Sequence, residues 1–293
     1  MFVINKNLFS IISKLIKFRI SILILLTTYL GYYLGLRSIN ELMLSSESWI
    51  KFSFLCVGTF LCSSAAAMLN QYLERVEDSM MDRTKERPLP LKQITAKSVK
   101  QGAFLLWTLG TIILIYFINF NTALISFITV ASYAFIYTPL KKKTPWNTLV
   151  GSIPGALPPL GGWVAATGKT DFIGIVLFML LYCWQIPHFL SLAIIYSDDY
   201  KRGGFKMFPL YKNLNITKYL ILIFSIAMVV TSVSLYLLKV SGIVYVVGAG
   251  LLGMVFVSYS ILIFINKSSK NVRMLFFISI LYFPIILFLL IIG

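Results

Sequence analysis

Charged side chains are scarce in this chain: they make up 12% of its residues, while 58% of the residues are hydrophobic. Acidic residues are the scarcest, with only 10 Asp and Glu in 293 residues. Leu, Ile, Val and Phe lie in runs of about 20 residues, long enough to cross a hydrocarbon core of ~30 Å as helices. These runs do not alternate as strands would. The sequence therefore excludes a separate soluble domain and predicts an all-α integral membrane protein.

Cysteine is also rare, and the chain has no obvious internal domain boundary. Cys56, Cys62 and Cys183 all fall within hydrophobic runs, which favours small apolar packing roles over a disulfide or metal framework. No repeat or low-complexity linker divides the chain, so we predict a single transmembrane domain over residues 1–293. The first hydrophobic run is too long for a signal peptide and lacks a clear cleavage site, so it is interpreted as a span.

Nine hydrophobic runs are candidate membrane spans. Their predicted bounds are 19–37, 50–69, 101–118, 120–138, 148–167, 172–195, 219–238, 243–265 and 272–292.

The net charge of +16 could indicate nucleic-acid binding, but the distribution of the charges argues against it. If the N-terminus is cytoplasmic, all of the 26 lysines and arginines except Arg37, Lys51, Lys169 and Lys239 lie in cytoplasmic segments. This is the positive-inside asymmetry of membrane proteins. We therefore expect a multi-pass protein of a bacterial plasma or inner membrane, with the N-terminus inside, the C-terminus outside, the lipid bilayer as its surroundings and no nucleic-acid partner. The sequence leaves a mitochondrial origin open.

Most of the acidic residues lie in two long connections on the predicted cytoplasmic side. The connection after the second span, 70–100, contains Glu74, Glu77, Asp78, Asp82 and Glu86. The connection after the sixth span, 196–218, contains Asp198 and Asp199. Two acidic clusters that face one compartment indicate a single site, and a cap, built from both connections.

The first cluster has a regular spacing. Asn70, Glu74, Asp78 and Asp82 are four residues apart, so on a helix the first three share one face, which Glu77 joins. Like charges at this spacing repel, and a Mg²⁺ ion is the better explanation for their arrangement. Two arginines that suit phosphate follow, and Pro88 and Pro90 are expected to end the helix. The alternative interpretation is a solvated loop of mixed charge.

Two stretches of small residues could form a slot for an apolar substrate. They are SSAAA at 63–67 and GSIPGALPPLGG at 151–162. Small residues allow helices to approach closely, and a broken helix is tolerated in a bilayer where it lines a cavity. For 63–67 simple tight packing is an equal alternative. For 151–162 we expect a broken helix that lines a cavity, because prolines and glycines are so dense there.

Together these motifs resemble the UbiA-type intramembrane prenyltransferases. The residues that match the first signature of that family in order and spacing are Asn70, Glu74, Asp78, Met81, Arg83, Thr84 and Arg87. The stretch YTPLKKKTPWN from residue 137, WQIPHF at 184–189 and DDYKRGGFKMFP at 198–209 are similar to the haem O synthase (protohaem IX farnesyltransferase) branch. The second connection lacks the full DxxxD motif of other members, which leaves only Asp198 and Asp199.

The resemblance implies a nine-helix UbiA-like bundle that farnesylates haem B. The farnesyl group of farnesyl diphosphate would be added to the 2-vinyl group together with water, giving haem O, with Mg²⁺ as cofactor. The implied metal ligands are Asn70, Glu74, Asp78, Asp82 and Asp199. The implied diphosphate-binding residues are Arg83, Arg87, Lys142, Lys201 and Arg202. Asp78, Asp82, Arg83, Arg87 and His188 are the implied catalytic residues.

Aromatic faces suit a carbocation, and the candidates for this role are Tyr72, Tyr133, Tyr137 and Trp184, although each could be a lipid-facing or interfacial ring. His188 is the only histidine and lies within the sixth predicted span, where an ionisable group indicates function. It could ligate haem iron, pair with a propionate or transfer a proton; a packed core histidine is the alternative.

Two other functions compete with this one. A member of the same family could act on a quinone precursor or another aromatic or tetrapyrrole acceptor, although LKKKTPWN and WQIPHF argue against it. A secondary transporter would place its polar residues near the middle of the bilayer, whereas here they gather at one interface. Whether haem A synthase is a physical partner, and the oligomeric state, are left open by the sequence.

Overall fold

The computed structural model describes residues 6–41, 46–211, 214–266 and 268–292, and within these ranges it contains helices and connections but no β-strand. Thirteen of the helical segments begin and end as follows: α1 (Lys6–Leu15), α2 (Phe18–Ser38), α3 (Ser46–Leu73), α4 (Arg75–Met80), α5 (Ala96–Phe117), α6 (Phe120–Ala131), α7 (Thr138–Leu140), α8 (Asn147–Thr167), α9 (Phe172–Ile195), α10 (Ser197–Arg202), α11 (Phe208–Tyr211), α12 (Leu214–Leu237) and α13 (Ile243–Ile265). The last helix is α14 (Ser269–Ile292), and a π-helical turn (Ser132–Tyr137) joins α6 to α7.

Nine rods in the described part of the chain are long and apolar enough to span a membrane. They are α2, α3, α5, the rod formed by α6, the π-helical turn and α7, and then α8, α9, α12, α13 and α14. All nine predicted spans are therefore confirmed, with ends displaced by a few residues. Cys56, Cys62 and Cys183 are free and lie inside α3 and α9, as predicted.

The spans form two adjoining hydrophobic clusters. One joins α2 and α8 to α9, α12, α13 and α14, and the other joins α2 to α3, α5 and α6. Helices α2 and α8 both contribute to the two clusters, because Ala165 of α8 belongs to the second one, so the two halves of the bundle meet at these two helices. Large apolar side chains such as Leu105, Val230, Leu251 and Phe288 are exposed on the outside, as expected for a surface that faces lipid.

The prediction of a broken helix at 151–162 is wrong, because α8 continues through Pro154, Pro158 and Pro159. The small residues instead let backbones touch. A Cβ atom on Gly31 of α2 would lie 1.9 Å from the carbonyl oxygen of Pro159, and one on Gly162 would lie 2.0 Å from that of Thr28. The stretch is therefore a tight crossing of α2 and α8, and neighbouring helices compensate for its prolines.

The prediction that Pro88 and Pro90 end the acidic helix is also wrong, because α4 ends at Met80. Met81 is extended, with φ −106° and ψ 132°. The next two backbone N–H groups leave the helical pattern because they donate to the carboxylate of Asp199 from the second connection. A contact from a distant part of the chain thus ends this helix before the prolines can do so.

Candidate active site

The first acidic cluster lies where α3 passes into α4. Asn70 is in the last turn of α3, Glu74 lies between the helices and Asp78 is in α4. The backbone hydrogen bonds Glu74 N to Asn70 O and Asp78 N to Glu74 O, at 2.9 and 2.8 Å, carry the helical pattern across the junction. The three side chains are buried and share a face, whereas Asp82 lies beyond the helix end and is exposed.

Each buried carboxylate of this cluster is paired with a cation from another segment. Arg87 donates from Nη1 to both carboxylate oxygens of Asp78, at 2.8 and 2.7 Å. Lys141, which follows α7, places its Nζ 2.7 Å from Oε1 of Glu74. Lys142 pairs with Glu77. The polar centre is thus built from the junction of α3 and α4, the connection 81–95 and the end of α7.

Asn70 is held by two further segments. Its Oδ1 accepts a hydrogen bond from Nζ of Lys17 at 2.8 Å, and its Nδ2 donates to Oγ1 of Thr138 at 3.2 Å. Lys17 precedes α2 and adopts a left-handed backbone, with φ 48° and ψ 54°. Next to Asn70, the amide of Gln71 donates to the carbonyls of Lys14 and Leu15 and so fixes the end of α1.

The second connection reaches the first through Asp199. Its carboxylate accepts hydrogen bonds from the backbone N–H groups of Asp82 and Arg83 at 3.1 and 3.3 Å. Arg202 lies one helical turn later and pairs with both Asp82 and Asp199. The two acidic connections therefore meet at one end of the bundle.

The two remaining predicted diphosphate-binding residues differ in position. Arg83 lies with its guanidinium carbon 5.7 Å from the ring centres of both Tyr196 and Tyr200, and so it borders the meeting point of the two connections. Lys201 is exposed and has no ion pair with any residue that the structure describes. Lys201 is thus the predicted residue that is not brought into the centre.

The π-helical turn brings two tyrosines to the polar centre. The rings of Tyr133 and Tyr137 lie 5.4 Å apart, and Nζ of Lys141 lies 4.6 Å from the centre of the Tyr137 ring. A small cavity of about 30 Å³ adjoins this ring and is lined by Tyr137, Thr148, Phe189, Leu192, Tyr200 and Met207. Aromatic groups therefore border the charged groups on the side facing the bundle.

The other predicted aromatic residues lie elsewhere. Tyr72 contacts the cations of Arg75 and Lys100, at 4.9 and 5.9 Å from its ring centre. Trp184 stacks on His188 with ring centres 5.1 Å apart and donates from Nε1 to the carbonyl of Ser279 at 2.9 Å. Nδ1 of His188 is 2.8 Å from the hydroxyl of Ser279. Trp184 and His188 therefore belong to an aromatic cluster between α9 and α14.

Burial and charge shift several pKa values at the polar centre. Burial raises the pKa of Asp78, although Arg87 opposes this effect. Burial and the nearby Arg87 and Lys141 lower the pKa of Lys17 to about 7. Burial would also lower the pKa of Lys141, but the carboxylate of Glu74 outweighs it and the pKa is raised. The centre is thus a strongly coupled set of charges.

Sequence reasoning missed Lys17 and Lys141. Three consecutive lysines follow α7, and successive helical positions point about 100° apart. Only the register set by the π-helical turn decides which of them faces Glu74, and the prediction named Lys142 instead. In the sequence, Lys17 is one of the charges that predict the orientation of the chain in the membrane. Its position just before an apolar run was the only available signal.

The donor atoms fit magnesium bound together with a phosphate. Among the described residues, no three His, Cys, Asp or Glu side chains form a group that could hold a metal by themselves. Asn70, Glu74 and Asp78 nevertheless offer oxygen donors from one face, and Oε2 of Glu77 is buried without a hydrogen-bond partner. Mg²⁺ is usually bound by one or two carboxylates plus substrate phosphates and water, not by a complete protein cage.

Comparison with known proteins extends over nearly the whole chain. Residues 24–281 match the model of the UbiA prenyltransferase family. A relative from Solibacter usitatus (strain Ellin6076), named protoheme IX farnesyltransferase, is 38% identical over 276 residues, covering 93% of this chain and 94% of the relative. A relative of the same name from Christiangramia forsetii is 33% identical, covering 96% of this chain and 92% of the relative.

Solved structures share the fold at low sequence identity. A digeranylgeranylglyceryl phosphate synthase superposes with a TM-score of 0.79 at 18% identity, covering 97% of this chain and 98% of that one. A UbiA homologue from Archaeoglobus fulgidus, solved with DMAPP and Mg²⁺, superposes with a TM-score of 0.65 at 15% identity, covering 96% of this chain and 99% of that one. These likenesses support the arrangement of the nine spanning rods.

Proposed function

The chain belongs to the UbiA prenyltransferase family, and from that premise we propose that it transfers the farnesyl group of farnesyl diphosphate to the 2-vinyl group of haem B, with addition of water, to form haem O. The observation that carries the proposal is the meeting of both acidic connections at one end of the bundle. The relatives named protoheme IX farnesyltransferase support haem as the acceptor.

The donor diphosphate would lie against the polar centre. Asn70, Glu74 and Asp78 would hold Mg²⁺, and Asp82 and Asp199 would complete its shell directly or through water. Magnesium would neutralise charge on the departing diphosphate. The cations assigned to phosphate oxygens are Arg83, Arg87, Lys142 and Arg202, with Lys141 added because it lies beside Glu74; Lys201 reaches this site only if its exposed side chain moves.

The reaction then follows from what each group can stabilise. The bond between C1 of the farnesyl group and the diphosphate oxygen breaks, and its electron pair leaves with the diphosphate. Fixed cations favour this step most where water is excluded. The rings of Tyr133 and Tyr137 present electron-rich faces to the allylic cation. The vinyl group of haem supplies the electrons of the new carbon–carbon bond, and water then supplies the hydroxyl and releases a proton.

We place the haem beside His188. Leu192 lines the same cavity as Tyr137, and His188 lies one helical turn, or about 6 Å, deeper along α9. Ser279 occupies Nδ1 of the imidazole, and Nε2 has no hydrogen bond with the described residues. That nitrogen is available to the iron, to a propionate or to a proton in transfer. Trp184, stacked on His188, would contact the same acceptor.

Mass analysis of extracted haems tests the function. Expression in a haem-rich bacterial membrane should produce haem O. Asp78→Asn should reduce its amount by about 10²–10³-fold, the loss expected when one group that stabilises developing charge is removed. Glu86→Gln, which removes an exposed carboxylate from the same connection, is the matched control and should keep normal yield. Incubation of the purified protein with labelled farnesyl diphosphate and either haem B or an aromatic acid identifies the acceptor; prenylation of the acid alone would contradict the proposal.

His188→Ala tests the acceptor site. The variant should remain in the membrane and lose haem O formation, because Nε2 is removed while the diphosphate site is intact. Release of diphosphate from farnesyl diphosphate provides the second readout and should persist. Ser279→Ala, which removes only the hydroxyl that contacts Nδ1, should have a smaller effect. Wild-type haem O levels in His188→Ala would assign this residue to packing.

A further inference from the structure

Lys17 has an unusual backbone conformation that directs its side chain into the polar centre. It forms the bend between α1 and α2, where its left-handed conformation costs a non-glycine residue roughly 1–2 kcal/mol. Its carbonyl accepts the N–H groups of Ile20 and Ser21 at 2.8 and 3.1 Å and so begins α2. The bend directs the side chain across to α3, and Nζ reaches Asn70 at 2.8 Å.

Lys17 differs in its partner from the three cations that pair with the buried carboxylates. Arg87 pairs with Asp78, Lys141 with Glu74 and Lys142 with Glu77. Within the described residues, Lys17 has no carboxylate partner, and its ammonium is held by a neutral amide oxygen. A charge withdrawn from water is costly unless it is paired. The geometry is therefore that of a cation whose anion is supplied by a ligand.

The same contact involves an oxygen that the metal would use. Oδ1 of Asn70 accepts a hydrogen bond from Lys17, while Nδ2 of Asn70 donates one to Thr138. The single oxygen of this amide is therefore already occupied. An ammonium group and a divalent cation that contact the same oxygen atom repel each other. A metal ion that binds without diphosphate must therefore displace Lys17 from the oxygen of Asn70 or bind against its positive charge, and either weakens metal binding. A diphosphate that arrives with the metal removes this effect because it provides an acceptor for the ammonium.

We propose that Lys17 is a diphosphate-binding residue that occupies the oxygen of Asn70 until the donor arrives, so that magnesium and diphosphate bind together. This inference rests on the proposed function only in that the ligand is a diphosphate. Lys17 thereby acts twice, against metal binding in the free protein and for diphosphate binding in the complex. A variant that lacks the charge should therefore bind metal alone more tightly and diphosphate more weakly.

Calorimetric titration of the full chain in lipid nanodiscs tests the proposal at a pH below 7, where Lys17 is protonated because its pKa is lowered to about 7. Mn²⁺ alone should bind Lys17→Met about tenfold or more tightly than the wild type, because one nearby positive charge is gone. Inorganic pyrophosphate at saturating Mn²⁺ should bind the variant about tenfold more weakly, because a charged hydrogen bond is lost. Lys14→Met removes an exposed lysine from the same end of α1 and should leave both affinities unchanged.

The outcomes separate this inference from the proposed function. If the wild type does not bind pyrophosphate with Mn²⁺, the proposed function fails. If the wild type binds it and Lys17→Met behaves like Lys14→Met, or loses both affinities together, the inference about Lys17 alone is overturned. Lys17→Gln, which keeps a donor but no charge, replaces Lys17→Met if that variant does not fold. Failure of both variants to fold would assign Lys17 to structure.

Discussion

At the scale of single residues, the site consists of buried charges that depend on one another. The side chain of Asp78 is 1% exposed and that of Arg87 is 22% exposed. Their residue types and spacing could be read from the sequence. Their pairing could not, because they lie nine positions apart and the helix ends between them at Met80. Which of the consecutive lysines pairs with Glu74 was equally hidden, since helical register beyond a π-helical turn is not visible in a hydropathy pattern.

The Asp78–Arg87 pair provides a stability prediction. Arg87→Met should lower the free energy of unfolding by about 3 kcal/mol, because removing one partner leaves a buried charge unpaired. The double variant Asp78→Asn with Arg87→Met should recover most of that loss but not haem O formation. Unfolding in lipid–detergent mixtures, followed by tryptophan fluorescence, measures the difference. A double variant no more stable than Arg87→Met would show that the pair does not account for the loss.

At the scale of helices, the sequence predicted where spans lie but not how they touch. Hydropathy depends on local composition, so the nine spans could be predicted directly. The behaviour of α8 could not be, because whether a proline-rich segment breaks or continues depends on the helix that packs on it. Here Gly31 and Gly162 allow α2 to lie against the α8 backbone, and the segment remains helical.

Two adjacent glycines of α8 make a matched test of this crossing. A Cβ atom on Gly162 would lie 2.0 Å from the backbone oxygen of Thr28, whereas one on Gly161 would come no closer than 3.7 Å to a side-chain methyl of Ile125. Gly162→Ala should therefore destabilise the protein by about 1–3 kcal/mol through overpacking, and Gly161→Ala should be tolerated. Thermal unfolding of both variants in nanodiscs checks this; equal midpoints would refute the close approach.

The contact between the two acidic connections should depend on pH. Although burial opposes it, the pairing with Arg202 and two backbone N–H donors lower the pKa of Asp199. A carboxyl group with a lowered folded pKa contributes its full stability above its unfolded pKa of about 3.9 and loses it as the pH falls through the folded value. Hydrogen exchange at Asp82 and Arg83 should therefore be slow at neutral pH and should accelerate, relative to Lys85, under acid conditions.

Asp199→Ala is the variant that isolates this effect. It should give fast exchange at Asp82 and Arg83 at every pH, because their acceptor is absent. Exchange that is slow in the variant at neutral pH would mean that other groups hold the two connections together.

At the scale of the whole molecule, the asymmetry of the lysines and arginines predicts the orientation in the membrane. Lys143, beside the polar centre, and Lys169, between α8 and α9, lie at opposite ends of α8 and are both exposed. With the three native cysteines replaced, Lys169→Cys should react with a membrane-impermeant thiol reagent in intact cells. Lys143→Cys should react only after the membrane is opened. The reverse labelling pattern would show that the protein has the opposite orientation in the membrane.

The π-helical turn between α6 and α7 carries one residue more per turn than an α-helix would hold. Thr138 marks it, because both its backbone N–H and its hydroxyl donate to the carbonyl of Tyr133, five positions earlier. Loss of a single codon inside this turn would leave the hydropathy of the rod almost unaltered. The turn would then close to an ordinary α-helical turn, and Lys141 would still face Glu74. Loss of a residue from the α-helical part of the rod would instead rotate Lys141 by about 100° and turn it away from Glu74. The π-helical turn is thus the place where this rod can absorb a one-residue deletion without misplacing Lys141.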